Sequence, residues 1–98
     1  MKIPIKTPEE IEKMRASARL LVKTFKEVES ELREGLSTQY IDDIVEGVIE
    51  TAGGKPAFKG YNGFPASACI SIDCEVVHGI PGERCLKEGQ IVSIDIGV

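Results

Sequence analysis

Histidine occurs once in this 98-residue chain, at His78. The three cysteines, Cys69, Cys74 and Cys85, form no CxxC pair. A structural zinc site needs four cysteine or histidine ligands at short paired spacings, so that class is excluded. The same odd count reads as free thiols in a reducing cytoplasm. No apolar run approaches the roughly 20 residues that span a bilayer. The opening "MKIPIKTPEE" has no hydrophobic signal core. A cytoplasmic protein with no membrane partner is therefore expected. Basic residues are also short: 12 Lys and Arg stand against 16 Asp and Glu, a net charge of -4. Without a basic face, no nucleic-acid binding of its own is expected. Neither GxGxxG nor GxxxxGK[ST] occurs, so no phosphate cradle is foreseen.

What remains is globular in character, with 42% hydrophobic and 29% charged residues, and long enough for one small domain with a modest core. "TPEEIEKMRASARLLVKTFKEVESELREG" opens with Thr7 as a cap, Pro8 in the first helical position and Glu10 completing a capping box. Ile11, Met14, Ala18, Leu21, Phe25, Val28 and Leu32 recur at spacings of three and four, which predicts a long helix with one buried stripe. Gly35 is the expected stop. "STQYIDDIVEGVIETAGG" predicts a shorter helix capped at Ser37 or Thr38. Ile41, Ile44, Val45, Val48, Ile49 and Ala52 form its buried face, and Gly53 and Gly54 end it. The short link makes the two helices neighbours.

From Lys55 onward, glycine and proline punctuate short apolar runs. "ACISI" predicts a strand with Ala68, Ile70 and Ile72 on one face and Cys69 and Ser71 on the other. "DCEVVHGIPG" reads as a turn, a short extended piece and another turn, and "GERCLKEGQ" as a polar excursion. "IVSIDIGV" is the clearest strand, with Val92, Ile94, Ile96 and Val98 alternating with Ser93, Asp95 and Gly97. Two helices followed by three strands make an α/β (α+β) unit. Because the chain stops at Val98 inside a β-rich run, with the edge of that strand open, it is expected to be the front part of a longer protein.

Three features invite a chemical reading. Asp95 is a carboxylate in mid-strand, where its charge is costly to bury unpaired, and Gly97 leaves space on the same face. Either it is solvated or it serves a basic partner, a hydrogen-bonding group or a cation. His78, held by the rigid Gly79-Ile80-Pro81-Gly82 turn, suits proton transfer near neutrality, yet an end-of-strand histidine is more often structural. Its role as catalyst, metal ligand or bystander stays open at this level. The loop "AFKGYNGFP" carries Phe58, Tyr61 and Phe64 between glycines. These aromatics either line an apolar pocket or close the core, the second being the plainer reading.

"IKTPEEIEKMRASARL", "FKGYNGFPASACISI", "EVVHGIPG" and "LKEGQIVSIDIGV" together resemble the type I methionine aminopeptidases, in order and spacing, across essentially the whole chain. The likeness is to the bacterial form, which lacks an amino-terminal extension. Relatives more often carry cysteine and tyrosine where this chain has Phe58 and Phe64, and asparagine and glutamate at Asp73 and Cys74. The resemblance implies the pita-bread fold, two pseudo-symmetric αβ halves around two divalent metal ions (cobalt, manganese, iron or zinc). Residues 1–98 would be the amino-terminal portion of that single catalytic domain. It further implies that Asp95 is the first metal-ligating aspartate. His78 would contact the scissile amide as a catalytic, substrate-binding group. Phe58, Tyr61, Phe64 and Cys69 would line the pocket for the methionine side chain. The family's other ligands and its glutamate proton shuttle would lie beyond Val98, so the 98-residue chain alone is expected to be inactive.

The partners so implied are nascent peptides beginning with methionine, met near the ribosome by a monomeric full-length enzyme that removes the initiator residue. The alternatives are a non-catalytic pita-bread relative, an X-Pro aminopeptidase relative, and a truncated form that associates through its sheet edge.

Overall fold

Helix α1 runs from Pro8 to Glu31 in a computed structural model that describes residues 3–75 and 79–98. Its start is the capping box foreseen from the sequence. The Glu10 amide donates to Thr7 Oγ1 at 3.1 Å, and the Thr7 amide donates to Glu10 Oε1 at 2.9 Å. That exchange satisfies two amides that the first turn would otherwise leave orphaned. It also holds the Glu10 carboxyl below the usual range, through the Thr7 amide first and its hydroxyl second.

The end of α1 is not where Gly35 suggests. The helix stops at Glu31 and Leu32 turns extended. Gly35, at φ 90°, serves the following turn, where its amide donates to the Leu86 carbonyl. The expected stripe is also corrected. Val28 is buried and Leu21 half-buried, but Met14 is 57% exposed, and Ile11, Phe25 and Leu32 are exposed as well. The periodicity marks a face correctly but not what covers it. Among the described residues α1 meets the core only through its later turns, where Leu20, Leu21 and Val28 pack. Thr24 is buried there too, its hydroxyl donating back to the Leu20 carbonyl.

Helix α2 spans Thr38–Thr51 and is capped by Ser37, whose hydroxyl accepts the Tyr40 amide. Ile41, Val45 and Ile49 are fully buried, Ile44 and Val48 half-buried, and Ala52 exposed. Strand β1 (Ala68–Ile72) lies antiparallel to β2 (Val92–Ile96), with Ala68 opposite Ile96 and Ile72 opposite Val92. The extended piece read at 76–78 lies outside the described residues, which hold this one two-stranded sheet. In β2 the alternation is as predicted, with Ser93 and Asp95 exposed between more buried apolar neighbours. In β1 all five residues are buried. Ala68, Ile70 and Ile72 join the core with α2, and on the other face Ser71 Oγ accepts the Gly79 amide.

The supposed polar excursion contributes to the core as well. Leu86 is buried and exchanges backbone hydrogen bonds with the Gly35–Leu36 turn. Thr38 binds Gly82 both ways, its hydroxyl accepting the amide at 2.8 Å and donating to the carbonyl at 3.1 Å. The strand connection is thereby stitched to the start of α2.

A candidate metal and side-chain cleft

β1 and β2 place Cys69 and Asp95 directly opposite one another in the antiparallel register. Opposed residues of one pair share a face of the sheet, so a thiol and a carboxylate stand side by side. Above them runs the glycine-aromatic loop. Gly60 at φ 83° and Gly63 at φ 78° allow its reversals, and a single 3-10 turn covers Tyr61–Gly63. The loop closes on itself through the Gly60 amide to the Phe64 carbonyl and the Phe64 amide to the Tyr61 carbonyl.

Loop and strands enclose a cleft of about 530 Å³ lined by Phe58, residues 61–65, Cys69, Ile80 and Asp95. Five residues singled out in the sequence thus meet at one place. Phe58 and Phe64 are half-buried and Tyr61 is exposed, and none belongs to the hydrophobic core cluster. They wall the cleft and do not close the core. His78 lies outside the described residues.

The space expected beside Asp95 at Gly97 is taken up. A Cβ on Gly97 would fall 2.9 Å from the Phe58 ring and 3.1 Å from the Ala57 Cβ. The Ala57 amide donates to the Gly97 carbonyl, which draws the loop over the end of β2. Gly97 therefore seats an aromatic wall and leaves no vacancy. Ile80 was not anticipated as a lining residue; its place two residues after His78 in "HGIPG" was the available signal.

The two polar groups differ in character. Cys69 is buried, and burial pushes its thiol pKa up, with the Asp95 and Asp42 charges adding to the rise. It is a protonated, apolar-like wall at neutral pH and not a ready thiolate. The Asp95 side chain is exposed and makes no hydrogen bond among the described residues. Its oxygens are hard donors free to take a divalent cation. One carboxylate is a single ligand, and no group of three His, Cys, Asp or Glu side chains among the described residues comes together to hold a metal. Asp95 thus fits a metal as one contributor to a shared site.

Asp42 was read only as part of the second helix, yet its side chain is buried. Its Oδ1 accepts the Ser67 amide at 2.9 Å and the Ala68 amide at 2.7 Å. The Ser67 hydroxyl is buried as well, with no hydrogen-bond partner among the described residues. No sequence signal marked it, since Asp42 stands beside Asp43 in the polar positions between Ile41 and Ile44, where an acid looks like ordinary helix surface.

A sequence model of metallopeptidase family M24 matches residues 12–98. The chain is 49% identical over 92 residues to methionine aminopeptidase 1 of Bacillus subtilis, covering 94% of this chain and 37% of that protein. It is 50% identical over 97 residues to the methionine aminopeptidase of Borreliella burgdorferi, covering 99% of this chain and 39% of that protein. The crystal structure of a methionine aminopeptidase from Thermotoga maritima superposes with a TM-score of 0.93 at 38% identity, over 97% of this chain and 39% of that one. Over the stretch it spans, the fold is that of the pita-bread enzymes.

Proposed function

Since the chain belongs to metallopeptidase family M24, we propose that it forms the amino-terminal part of the catalytic domain of a methionine aminopeptidase. The chain spans under two-fifths of the length of the curated relatives given above, so this activity is one of a longer protein. The observation that supports the reading best is the convergence of Asp95, Cys69 and three aromatics on one cleft.

In this reading Asp95 supplies one oxygen ligand. Two divalent ions (cobalt, manganese, iron or zinc), held by the complete site, would polarise the substrate carbonyl and activate water. The chain's own residues bind and orient. Phe58, Tyr61, Phe64 and the protonated Cys69 receive the methionine side chain, whose flexible thioether suits aromatic and sulfur contacts. His78 contacts the scissile amide. The substrate is a nascent peptide with methionine at its first position, met near the ribosome in the cytoplasm by a monomeric enzyme. Neither nucleic acid nor membrane takes part.

The test joins this chain, after Val98, to the remaining portion of the Bacillus subtilis relative. Methionine release from a Met-Ala-Ser peptide is then measured with manganese or cobalt. The fusion is expected to turn over and the 98-residue chain alone to release nothing. Asp95→Asn in the fusion is expected to lower turnover about a hundredfold or more, beyond what loss of a metal's outer-shell partner costs, and to lower bound metal with it. An inactive fusion, or an Asp95→Asn fusion with full activity, would overturn the reading.

A further inference from the structure

Two carboxylates one turn apart on α2 hold both ends of the cleft loop. Asp42, 2% exposed, grips the backbone amides of Ser67 and Ala68. Glu46, four residues on and so on the same helix face, pairs with Lys59. Between these anchors lie residues 61–65 of the cleft wall, and directly after Ala68 comes Cys69, which also lines the cleft. The loop is closed by its own backbone hydrogen bonds, so moving an anchor moves the wall as a unit.

The means of anchoring is costly, which argues for a purpose. A buried carboxylate loses its hydration, and burial is the largest influence on Asp42, pushing its pKa up against the pull of the two amides. Asp43 and Glu46 add like charge, while Lys59 stands near enough to feel the Asp42 charge. If Asp42 were replaced by an apolar side chain, two amides at the start of β1 would lose their acceptor. One oxygen bridging two consecutive amides fixes the direction in which the chain enters the strand, and with it the placement of Phe64 and Cys69.

We propose that Asp42 is a positioning residue of the cleft: by holding Ser67 and Ala68 from α2, with the Glu46–Lys59 pair at the other end, it sets the spacing of the cleft walls and so the side chain the cleft admits. The consequence for selectivity rests on the reading that this cleft receives the methionine side chain. The positioning itself is testable separately.

In the 98-residue chain, NMR of the Ser67 and Ala68 amides is expected to follow the titration of the Asp42 carboxyl carbon. Asp42→Ala is expected to shift the Tyr61 and Phe64 ring resonances. Amides indifferent to that titration, or rings unmoved in Asp42→Ala, would overturn the proposal. In the active fusion, Asp42→Ala is expected to raise KM roughly tenfold with kcat within about twofold, since small misplacements of binding groups carry penalties of this order or larger. Preference for amino-terminal methionine over leucine should fall by a similar factor, and Asp42→Asn, which retains an acceptor oxygen, should recover part of both. A lowered melting temperature with KM and preference unchanged would show a merely structural role and sink the idea. A fusion inactive with Asp42 intact would count against the peptidase reading, and the NMR result would then decide the positioning role.

Discussion

Asp42 gives the pH dependence of stability an unusual tilt. Its carboxyl takes a proton more readily in the folded chain than in the unfolded one, because burial outweighs the Ala68 and Ser67 amides. A raised folded pKa means that its contribution is complete below the unfolded pKa and is lost as pH rises through the folded one. Glu75 works the other way. The Ile72 amide first, and Arg84 at 2.6 Å second, hold its carboxyl low, so its contribution appears above the unfolded pKa and is lost as pH falls through the folded one. Removing the Asp42 titration should isolate the first effect. The stability advantage of the natural chain over Asp42→Asn, read from urea midpoints, is expected to be larger near about pH 3 than near about pH 7, on either side of the ordinary carboxylate range. An equal advantage at both would show that the carboxyl titrates as it does in water. At this scale Asp95 was legible in the sequence, because a carboxylate in a β-run stands out. Asp42 was not, because an acid within an amphipathic helix looks like ordinary surface.

Close approach between backbones decides the arrangement of elements around β1. One edge of β1 pairs with β2; on the other, the Ile70 amide donates to the Gly79 carbonyl at 2.8 Å. A Cβ at Gly79 would lie 2.0 Å from the Ile70 carbonyl oxygen and 3.0 Å from the Ser71 Cα. Those neighbours are backbone and cannot swing aside as the Phe58 ring beside Gly97 can. Gly79→Ala is therefore expected to cost about 1–3 kcal/mol, the usual range for overpacking, seen as a lower urea midpoint. An unchanged midpoint would mean that this segment leaves β1 without penalty. The glycine was visible in "HGIPG", and a turn accounted for it. Its second use, lying against the edge of β1, depends on where that strand passes and leaves no mark in local pattern.

Across the whole molecule, order should follow packing and not helix length. α1 is the longest element, with 24 residues, but its residues 8–16 are all exposed. A helix gains most of its stability from tertiary contact, and isolated turns are marginal in water. α2 and β1 share the buried cluster of Ile41, Val45, Ile49, Ala68 and Ile70. Amide hydrogen exchange of the 98-residue chain is expected to be fast across the first half of α1 and slowest at Val45, Ile49 and Ile70. Uniform protection along α1 would show that its exposed face is covered in solution. No helix among the described residues is long and apolar enough to cross a membrane.

Local chemistry was enough to determine the two helix starts, the alternation of β2 and the glycine-aromatic loop. Caps, period and turn residues act within a few positions of one another, so sequence records them directly. The motif order was enough to place the family. Which half of α1 is buried, how Leu86 reaches the core, why Gly79 must lack a Cβ, what crowds Gly97 and what Asp42 holds were decided by the tertiary structure. Asp42 and Leu86 depend on partners 25 or more residues away, Gly79 on the facing backbone of β1, and Gly97 on the Phe58 ring and the Ala57 Cβ, and only the packed chain brings those partners within reach.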